Sequence, residues 1–580
     1  DKQCCTGICN KMAGKKNLDG KGRCRCVRKN GKCSEDRNCC TRKGQQLSCV
    51  NGTCGGSSSP LIPTSEACVE GGTPCEDANA SCTTYDAGSG GPAGSYCLLP
   101  ILKTVCTKAA DCTVNSCYNE TCLTCGCAGC PEATLCASPT VASGGSVQAA
   151  ITAASDGDTI TIAPGTSVED LVYSNKNLTL LGCPSGGNEV ILINATPDTR
   201  TIDVTDESDL TINDIVIQGD NDIPNTIGGG GIATAGGDVC IGMRSRIEGC
   251  AIFGSSSNGG GIFRGQNAAQ DGFLKITDAV VIDGNTSDSY GGGACADSYS
   301  TFTIDQHVKI TNNTANKGAG VAAYYAVLTV TGNVEITDNT AFEAGGGVHV
   351  YGGGHGGNTP PTVIMRLGGK TLITRNKATG EPNGAWGGGV TVEYPSNDEA
   401  LIIEDDVVID ANSADSYGGG LYAQDVFATI QGNVQITGNS VTGGGNSNGN
   451  GGGVYHKAGA STSLTIQGNA DISGNSVKKN GGGVWFNKGT FVLADNAVIK
   501  NNTADSYGGG FFSDTYSPLT ATISGAAAIT ANTARKTSPS GGGFYVNSSS
   551  YNGGSITGCG AITANSPDQV ANSAGVITSC

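Results

Sequence analysis

Residues 328–350, LTVTGNVEITDNTAFEAGGGVHV, contain the pattern that decides the fold. Short runs of alternating apolar residues are separated there by residues that favour turns. The runs are Leu328–Val330, Val334–Ile336 and Val348–Val350, and the corners are Gly332-Asn333, Asp338-Asn339 and the triplet Gly345–Gly347. Three short strands joined by such corners predict one triangular coil, with its Val, Ile and Leu side chains pointing inward.

The glycine triplet recurs through the second half of the chain, as expected of a repeat protein. Counting the variant Gly318-Ala319-Gly320, successive triplets start 27 to 42 residues apart. The others begin at Gly229, Gly259, Gly291, Gly345, Gly387, Gly418, Gly451, Gly481, Gly508 and Gly541. Glycine at these points permits positive φ and a close approach between coils.

An asparagine precedes most triplets at a fixed place in the repeat. The positions are Asn285, Asn313, Asn339, Asn376, Asn412, Asn439, Asn475, Asn502 and Asn532. Side-chain amides stacked at one corner can hydrogen-bond from coil to coil and satisfy the backbone groups of the bend. The repeat therefore predicts an all-β fold, a right-handed parallel β-helix solenoid of about 14 coils spaced roughly 4.8 Å apart.

The segment that leads into the array, SVQAAITAASDGDTITIAPGT at 146–166, predicts an end cap. Val147, Ala150, Ile151 and Ala154 share one helical face, and residues 159–162 alternate as in a strand. A short helix there would cover the open end of the solenoid. The segment is similar to the entry of pectin-lyase-like β-helices, which implies that fold without implying an activity.

The repeat resembles that of the chlamydial polymorphic membrane proteins, whose units pair an FxxN element with GGA and then Ile, Leu or Val. Here the elements are Ile-Thr-x-Asn-Thr and GGG followed by Val, Phe, Leu or Ile, over about 350 residues. The resemblance implies a β-helix with a role at a cell surface. The missing phenylalanine and the cysteine-rich head favour a secreted eukaryotic relative over a bacterial autotransporter.

Cysteine is concentrated at the start of the chain, where 22 of the 28 cysteines stand at or before Cys136. So many cysteines in a segment too small for a large core predict disulfides, and therefore an oxidising compartment. Zinc is the alternative for one closely spaced group, although none of the four histidines of the chain is near it. That group is Cys117, Cys122, Cys125, Cys127 and Cys130.

Two cysteine-rich regions, residues 1–59 and 60–136, precede the β-helix at 137–580. GGSSS at 55–59, with the prolines that follow, predicts a linker between them. In the first region the cysteine run resembles small inhibitor-cystine-knot (knottin) modules, which implies disulfide bonds for Cys33, Cys39, Cys40, Cys49 and Cys54. The opening Cys4-Cys5-TGI-Cys9 looks like the second half of such a module, so we expect the sequence to start within a longer or processed chain.

Two further disulfides are predicted within the β-helix. Cys559 and Cys580 bracket the last segment and would hold the terminal coil, and Cys240 and Cys250 are close enough in sequence to pair within one coil. We expect no bond between Cys183 and Cys295, because several coils separate them.

Nine Asn-x-Ser/Thr sequons support a secretory route together with the cysteines. They are Asn51, Asn79, Asn119, Asn177, Asn194, Asn285, Asn312, Asn501 and Asn547. We therefore expect an extracellular or cell-surface protein with N-linked glycans.

Charge is unevenly distributed along the chain, whose net charge is −17. Residues 1–50 hold 13 Lys and Arg against 4 Asp and Glu, a balance of +9, which leaves −26 for the rest. A basic head and an acidic body suit head-to-tail association into a homo-oligomer or filament, although a solvated basic surface would look the same. Secretion argues against a nucleic-acid partner. The sequence contains no run of about eighteen apolar residues, so membrane insertion is not predicted.

No catalytic residue, metal ligand or cofactor is predicted. Gly354-His355-Gly356 is similar to the Gly-His-Gly of polygalacturonases, and Asp405-Asp406 to their paired aspartates. Those enzymes need their carboxylates together on one strand face, and here the aspartates follow the histidine instead of preceding it.

A calcium-dependent lyase would need basic residues beside calcium-binding acids. Arg366, Lys370 and Arg375 are scattered, and no acidic cluster stands in their coil. Glu404 and the two aspartates after it favour a solvated edge over a calcium site.

The sequence thus predicts an extracellular structural glycoprotein, a subunit of a surface filament, of a mastigoneme-like flagellar hair or of a cell coat. The first alternative is an adhesin or glycan-binding surface protein, which an exposed aromatic row would favour. Tyr290, Tyr417 and Tyr507, each in Asp-Ser-Tyr before a triplet, could stack as such a row or act as spacers. The second alternative is a polysaccharide lyase or hydrolase, which a screen on pectin and alginate with calcium would decide.

Overall fold

The computed structural model describes residues 136–572 with short gaps, and the backbone of six strands nearer the start of the chain. The gaps are 186, 197–198, 207, 220–222, 225–227, 255–256, 266–271, 298–299, 353–362, 381–383, 395–399, 444–448, 458–461, 515–518, 538–539 and 548–554. The chain divides into two compact units, Asp1–Glu120 and Thr121–Cys580.

In the first unit the described strands form three antiparallel pairs. They are Thr41–Arg42 with Gln45–Gln46, Ser48–Val50 with Thr53–Gly55, and Ser81–Tyr85 with Gly94–Leu98. Cys49 lies opposite Cys54 in the second pair. The side chains of all five cysteines in the knottin-like run lie outside the described part of the chain, so their predicted bonds stay predictions.

The second unit is a parallel β-helix, which confirms the predicted fold. Four parallel sheets run along it, three of them with 14 strands, so the predicted number of coils is confirmed. At about 4.8 Å per coil the solenoid is about 65 Å long. We number the sheets 1 to 4 in the order in which each coil passes through them.

Sheet 1 contains Thr159–Ile162, Leu178–Gly182, Leu210–Asn213, Val239–Gly242, Phe273–Ile276, Thr301–Ile304, Val327–Val330, Val363–Leu367, Ala400–Ile403, Phe427–Ile430, Ser463–Ile466, Gly489–Leu493, Leu519–Ile523 and Ser555–Thr557. Sheet 2 contains Gly165–Val168, Val190–Ile193, Val216–Gln218, Arg246–Glu248, Val281–Asp283, Lys309–Thr311, Glu335–Thr337, Leu372–Thr374, Val408–Asp410, Gln435–Thr437, Asp471–Ser473, Val498–Lys500, Ala528–Thr530 and Ile562–Thr563.

Sheet 3 contains Ile223–Pro224, Ala251–Phe253, Thr286–Ser287, Thr314–Lys317, Thr340–Ala344, Lys377–Ala378, Ser413–Ala414, Ser440–Val441, Ser476–Val477, Thr503–Ala504 and Thr533–Ala534. Sheet 4 contains Leu171–Tyr173, Ile202–Val204, Ile232–Thr234, Ile262–Arg264, Ala294–Asp297, Val321–Tyr324, Val348–Tyr351, Val390–Glu393, Leu421–Gln424, Val454–Lys457, Val484–Phe486, Phe511–Asp514, Phe544–Asn547 and Val570–Asn572.

Each typical coil has four strands where the sequence predicts three. The additional strand belongs to sheet 3 and lies between the repeated asparagine and the glycine triplet. Thr340–Ala344 is one such strand, and it pairs with Thr314–Lys317 before it and Lys377–Ala378 after it. Most strands of sheet 3 are only two residues long, too short to show the alternation that reveals a strand in a sequence.

A single apolar core runs inside the coils from Val141 to Ile562. Its most regular part is a column of isoleucines in sheet 2, in which each residue is in register with its equivalent one coil away. The column consists of Ile217, Ile247, Ile282, Ile310, Ile336, Ile373, Ile409, Ile436, Ile472, Ile499, Ile529 and Ile562. Stacking the same side chain in every coil gives dense packing with no change of shape from layer to layer.

The repeated asparagines form the predicted ladder, which is confirmed at all nine positions and extends to a tenth, Asn565. At the nine predicted positions Nδ2 donates to Oδ1 of the next asparagine and to the carbonyl of an isoleucine in the preceding coil, and at Asn565 Gln569 takes the place of the next asparagine. For Asn313 these bonds measure 3.0 Å to Asn339 and 3.1 Å to Ile282. The backbone N–H donates to the same Oδ1, so the buried amides and the bend satisfy each other.

The predicted end cap is confirmed as the helix Val147–Ala153, which buries Val147 and Ile151 against the core. Ser146 caps the helix by accepting the N–H of Ala149 at 3.0 Å. A disulfide between Cys136 and Cys183 ties the residues before the helix to the coils after it. It closes a loop of 47 residues, which stabilises a fold by roughly 4 kcal/mol in the chain-entropy account.

The predicted bond between Cys240 and Cys250 is wrong. Cys250 is a free thiol inside the core, where its N–H donates to Oδ1 of Asn285 at the start of the ladder. Cys240 lies on the outer face of sheet 1 against Met243 and is disulfide-bonded. The wall of the coil therefore separates the two sulfur atoms.

Of the remaining cysteines of the β-helix, Cys183 and Cys295 have described side chains, whereas Cys559 and Cys580 do not. Cys183 is bonded to Cys136, and Cys295 is a free, buried thiol, so the expected absence of a bond between Cys183 and Cys295 is confirmed. The predicted bond of Cys559 with Cys580 lies outside the described side chains.

Candidate functional site

The strands of sheet 4 carry polar and aromatic side chains that lie outside the core. In Val348–Tyr351, the first and third residues enter the core, whereas His349 points outward. The glycine triplet crosses over this outward side chain, so that a Cβ on Gly345 would lie 2.8 Å from the Cβ of His349. Glycine is required there, and the outward residue becomes buried although it lies outside the core.

The outward residues of successive strands in sheet 4 form one column along the β-helix, which we call the outer column. In order they are Ala233, Phe263, Cys295, Ala322, His349, Thr391, Tyr422, Tyr455, Trp485, Phe512, Tyr545 and Ala571. Apart from Phe263, the column is small up to Ala322, polar at His349 and Thr391, and aromatic from Tyr422 to Tyr545.

The aromatic part of the outer column is a stack of nearly parallel rings. The ring centroids of Tyr422 and Tyr455 are 5.1 Å apart, those of Tyr455 and Trp485 4.1 Å, and those of Phe512 and Tyr545 5.5 Å. The interplanar angles are 5°, 6° and 5°. Each ring is 2–7% exposed, so this aromatic stack covers its own faces and is mainly structural.

Tyr417 and Tyr507 do not stack on each other, so that part of the expected row is wrong. Asn450 and Asn480 occupy their place in the two intervening coils. Each tyrosine packs instead against the aromatic stack, with centroid distances of 4.8 Å from Tyr417 to Tyr455 and 4.5 Å from Tyr507 to its neighbour in the stack.

The sequence carries a signal for the aromatic stack that the Asp-Ser-Tyr motif does not reveal. Five successive triplets are each followed by one apolar and one aromatic residue, in GGGLY, GGGVY, GGGVW, GGGFF and GGGFY. Once the first residue of each pair is placed in the core, the second falls in the outer column.

A second group of rings lies along sheet 4 where the outer column is small or polar. Tyr324 and Tyr351 stack with centroids 5.2 Å apart at 18°, and Tyr325 meets Tyr351 edge-on at 5.4 Å and 72°. Tyr394 lies 5.8 Å from Tyr351 at 60° and is 45% exposed. We call these four residues the tyrosine notch. Tyr290 packs beside it, 4.8 Å from Tyr324.

A network of charged groups lies beside the tyrosine notch. His349 Nε2 is 3.0 Å from Glu393 Oε2, and the indole N–H of Trp386 donates to the other carboxylate oxygen at 2.9 Å. Lys317 and Glu343 form an ion pair of 2.9 Å. Burial raises the pKa of the Glu393 carboxyl, but the hydrogen bonds of His349 and Trp386 and the charge of Lys317 outweigh it and leave the pKa lowered.

The acids that the sequence places at a solvated edge each have a partner in a neighbouring coil. Glu404 pairs with Arg366, and Asp405 Oδ2 accepts the N–H of Gly369 at 2.8 Å. Arg375 belongs to a separate ion pair at the next corner. These groups therefore join coils, and Arg366 with Glu404 is the one basic and acidic pair that the structure brings together among them.

His355 lies outside the described residues. Across the described ranges, no group of three His, Cys, Asp or Glu side chains could hold a metal ion. No helix in those ranges combines the length and the apolar character of a membrane span.

The sequons within the described ranges differ in accessibility. Three are exposed, Asn177, Asn312 and Asn501, and Asn547 is half-buried against Asp514. Asn194 and the ladder residue Asn285 are buried. Asn51, Asn79 and Asn119 lie outside the described residues.

Models of protein families, curated proteins and solved structures give no match to this chain. The likenesses to pectin-lyase-like proteins, to the chlamydial repeats and to knottins therefore remain likenesses of motif. The parallel β-helix that the first two imply is present.

Proposed function

We propose that this chain is an extracellular structural glycoprotein whose β-helix acts as a spacer in a surface filament, a flagellar hair or a cell coat. The observation that carries the proposal is the unbroken repetition of the coil. One core extends from Val141 to Ile562, and the amide ladder from Asn285 to Asn565 has no missing rung. A chain in which every coil is hydrogen-bonded to both neighbours suits a stiff spacer.

Two features support an extracellular setting. The disulfide between Cys136 and Cys183 requires an oxidising compartment to form and persist. Asn177, Asn312 and Asn501 present sequons on exposed corners, where a glycan can extend into solvent.

Charge supports association between copies, because residues 1–50 carry +9 and the remainder −26. We expect the purified full chain to associate at low salt and to dissociate as salt screens the charges. Electron microscopy and analytical ultracentrifugation at low and high salt test this. Dispersed monomers at low salt would contradict an assembling role.

A pair of charge-reversal variants locates the association. Lys15→Glu with Lys16→Glu, in the basic head, should weaken it. Lys370→Glu, on an exposed corner of the β-helix, makes the same kind of change outside the head and should leave it intact.

The second candidate is a glycan-binding surface protein. The observation that favours it is the concentration of rings on the outer side of sheet 4, both tryptophans of the chain among them. Most of these rings are buried by stacking, so the partly exposed tyrosine notch is the part of this face that could meet a ligand.

A further inference from the structure

We propose that the tyrosine notch, formed by Tyr324, Tyr325, Tyr351 and Tyr394, binds a neutral saccharide. This gives the glycan-binding candidate a location and a ligand class, and it rests on that candidate. It does not depend on the spacer role of the β-helix.

The arrangement of the four rings provides a floor and two sides. Tyr324 and Tyr351 lie stacked on successive coils, and Tyr325 stands at 72° to Tyr351. Tyr394 closes the other side at 60° to Tyr351 and is 45% exposed. The four rings therefore meet in one cluster in which Tyr351 contacts the other three.

Backbone strain is the second and independent observation. Tyr325 and Tyr394, the two residues at the sides, adopt φ of 55° and 50°, a conformation that is rare for bulky residues. At the equivalent place one coil after Tyr394, Asp425 also adopts a positive φ, of 58°, which aspartate does more readily than tyrosine. The fold therefore tolerates a smaller residue at this corner. The presence of Tyr325 and Tyr394 in a strained conformation points to a function for their side chains.

The chemistry of the notch fits a sugar ring. A tyrosine offers an apolar face and a hydroxyl, which suit the C–H face and the hydroxyls of a pyranose. Burial and the neighbouring phenols raise the pKa of Tyr324 and Tyr351, so their hydroxyls stay protonated. The Tyr324 hydroxyl donates to that of Tyr325 at 3.4 Å, so the phenol groups form a chain of polar atoms.

The surrounding charges favour a neutral ligand over an acidic one. Lys317 is already paired with Glu343, and the His349 side chain is occupied by Glu393, so neither side chain is left to hold a sugar carboxylate. The net charge of −17 would also repel a polyanion.

The test is calorimetric titration of the full chain with neutral oligosaccharides built from glucose, mannose or N-acetylglucosamine, and with oligogalacturonate as the acidic comparison. We expect at least one neutral series to bind and oligogalacturonate to bind at least tenfold more weakly. Binding of oligogalacturonate alone would overturn the proposal.

Two variants separate binding from structure. Tyr325→Gly and Tyr394→Gly should each weaken binding at least tenfold, while their melting temperatures stay at or above that of the parent because the strain is relieved. A variant that lost binding and stability together would contradict the proposal, since the tyrosine would then be structural. Tyr507→Ala, which removes a half-buried ring outside the notch, should bind normally.

The outcomes also separate this site from the candidate function on which it rests. Saccharide binding that survives both glycine variants would overturn the notch and leave glycan binding in place elsewhere. Failure of every saccharide to bind would overturn both, and the association experiments on the spacer role would be unaffected.

Discussion

Asn439 and Asn475, one coil apart, are joined by a hydrogen bond of 3.0 Å from Nδ2 of the first to Oδ1 of the second. The same oxygen accepts the backbone N–H of Asn439 at 2.9 Å, and Nδ2 of Asn439 also donates to the carbonyl of Ile409. Because all of these atoms are buried, removing one amide leaves partners on both sides without a hydrogen bond.

We expect Asn439→Ala to lower the free energy of unfolding by about 3 kcal/mol or more, since several buried polar groups lose their partner. The matched control is Asn433→Ala in the same coil. Asn433 forms side-chain bonds to Asp406 and Asn469 along an exposed corner, so its loss should cost less than about 0.5 kcal/mol. Denaturant unfolding of both variants gives the comparison, and equal losses would contradict the structural role of the ladder.

The residue before each ladder asparagine turns the corner with a positive φ, and in some coils it is an alanine. Ala531 has φ of 57°, whereas Gly438 and Gly474 occupy the equivalent place elsewhere. Ala531→Gly should therefore stabilise the protein by about 0.5–1 kcal/mol. Ala528→Gly, on a regular strand of the same coil, should destabilise it by a similar amount. Thermal unfolding that moved both variants in the same direction would disprove this.

Two sequons, Asn285 and Asn312, lie in adjacent coils, yet we expect only one of them to carry a glycan. Asn312 is exposed at the corner, whereas Asn285 is a buried rung whose amide bonds to Asn313. We expect glycans on Asn312, Asn177 and Asn501 and none on Asn285 in secreted, folded protein. Glycopeptide mapping by mass spectrometry decides this, and a glycan on Asn285 would be incompatible with the ladder.

His456 should make the fold sensitive to acid. Its side chain lies inside the core, 2.9 Å from the carbonyl of Val426, and burial lowers its pKa to about 4. Because the folded pKa lies below the ordinary value of about 6.5, the unfolded chain takes up the proton first. The contribution of neutral His456 to the free energy of unfolding is therefore complete above about pH 6.5. It falls by about 3 kcal/mol as the pH drops to about 4.

His456→Leu should remove this part of the pH dependence, seen in melting temperatures measured from neutral pH to about pH 4. His307→Asn, at an exposed corner, should keep it. An unchanged pH profile in His456→Leu would show that the buried imidazole is not responsible.

How much of the fold and of the candidate site can be predicted from the sequence depends on how often a feature repeats. The ladder asparagines and the isoleucines three residues before them recur in ten successive coils, so their spacing shows both the corner and the inward face. The outer column is harder to predict, because the same position holds Ala322 in one coil, His349 in the next and Tyr422 later. An outward residue is usually exposed, and only the fold shows that the glycine triplet covers it.

Individual departures from the repeat are the least predictable. Cys250 occupies the place of an asparagine at the start of the ladder, and spacing alone suggested a bond to Cys240. His456 occupies a core position where an aliphatic residue is expected. Tyr325 and Tyr394 follow the strands at a corner whose strain only the backbone geometry reveals.

Hydrogen–deuterium exchange of the full chain, read by mass spectrometry, is the most direct test of the central claim that one buried asparagine per coil joins the layers of a stiff rod. We predict that peptides containing the Ile-x-x-Asn segments, from Ile282 to Asn565, exchange slowest in every coil, and that Asn439→Ala loses protection mainly in its own and the adjoining coils. Exchange in these segments as fast as at the exposed corners, or a variant that exchanges like the parent, would contradict the account.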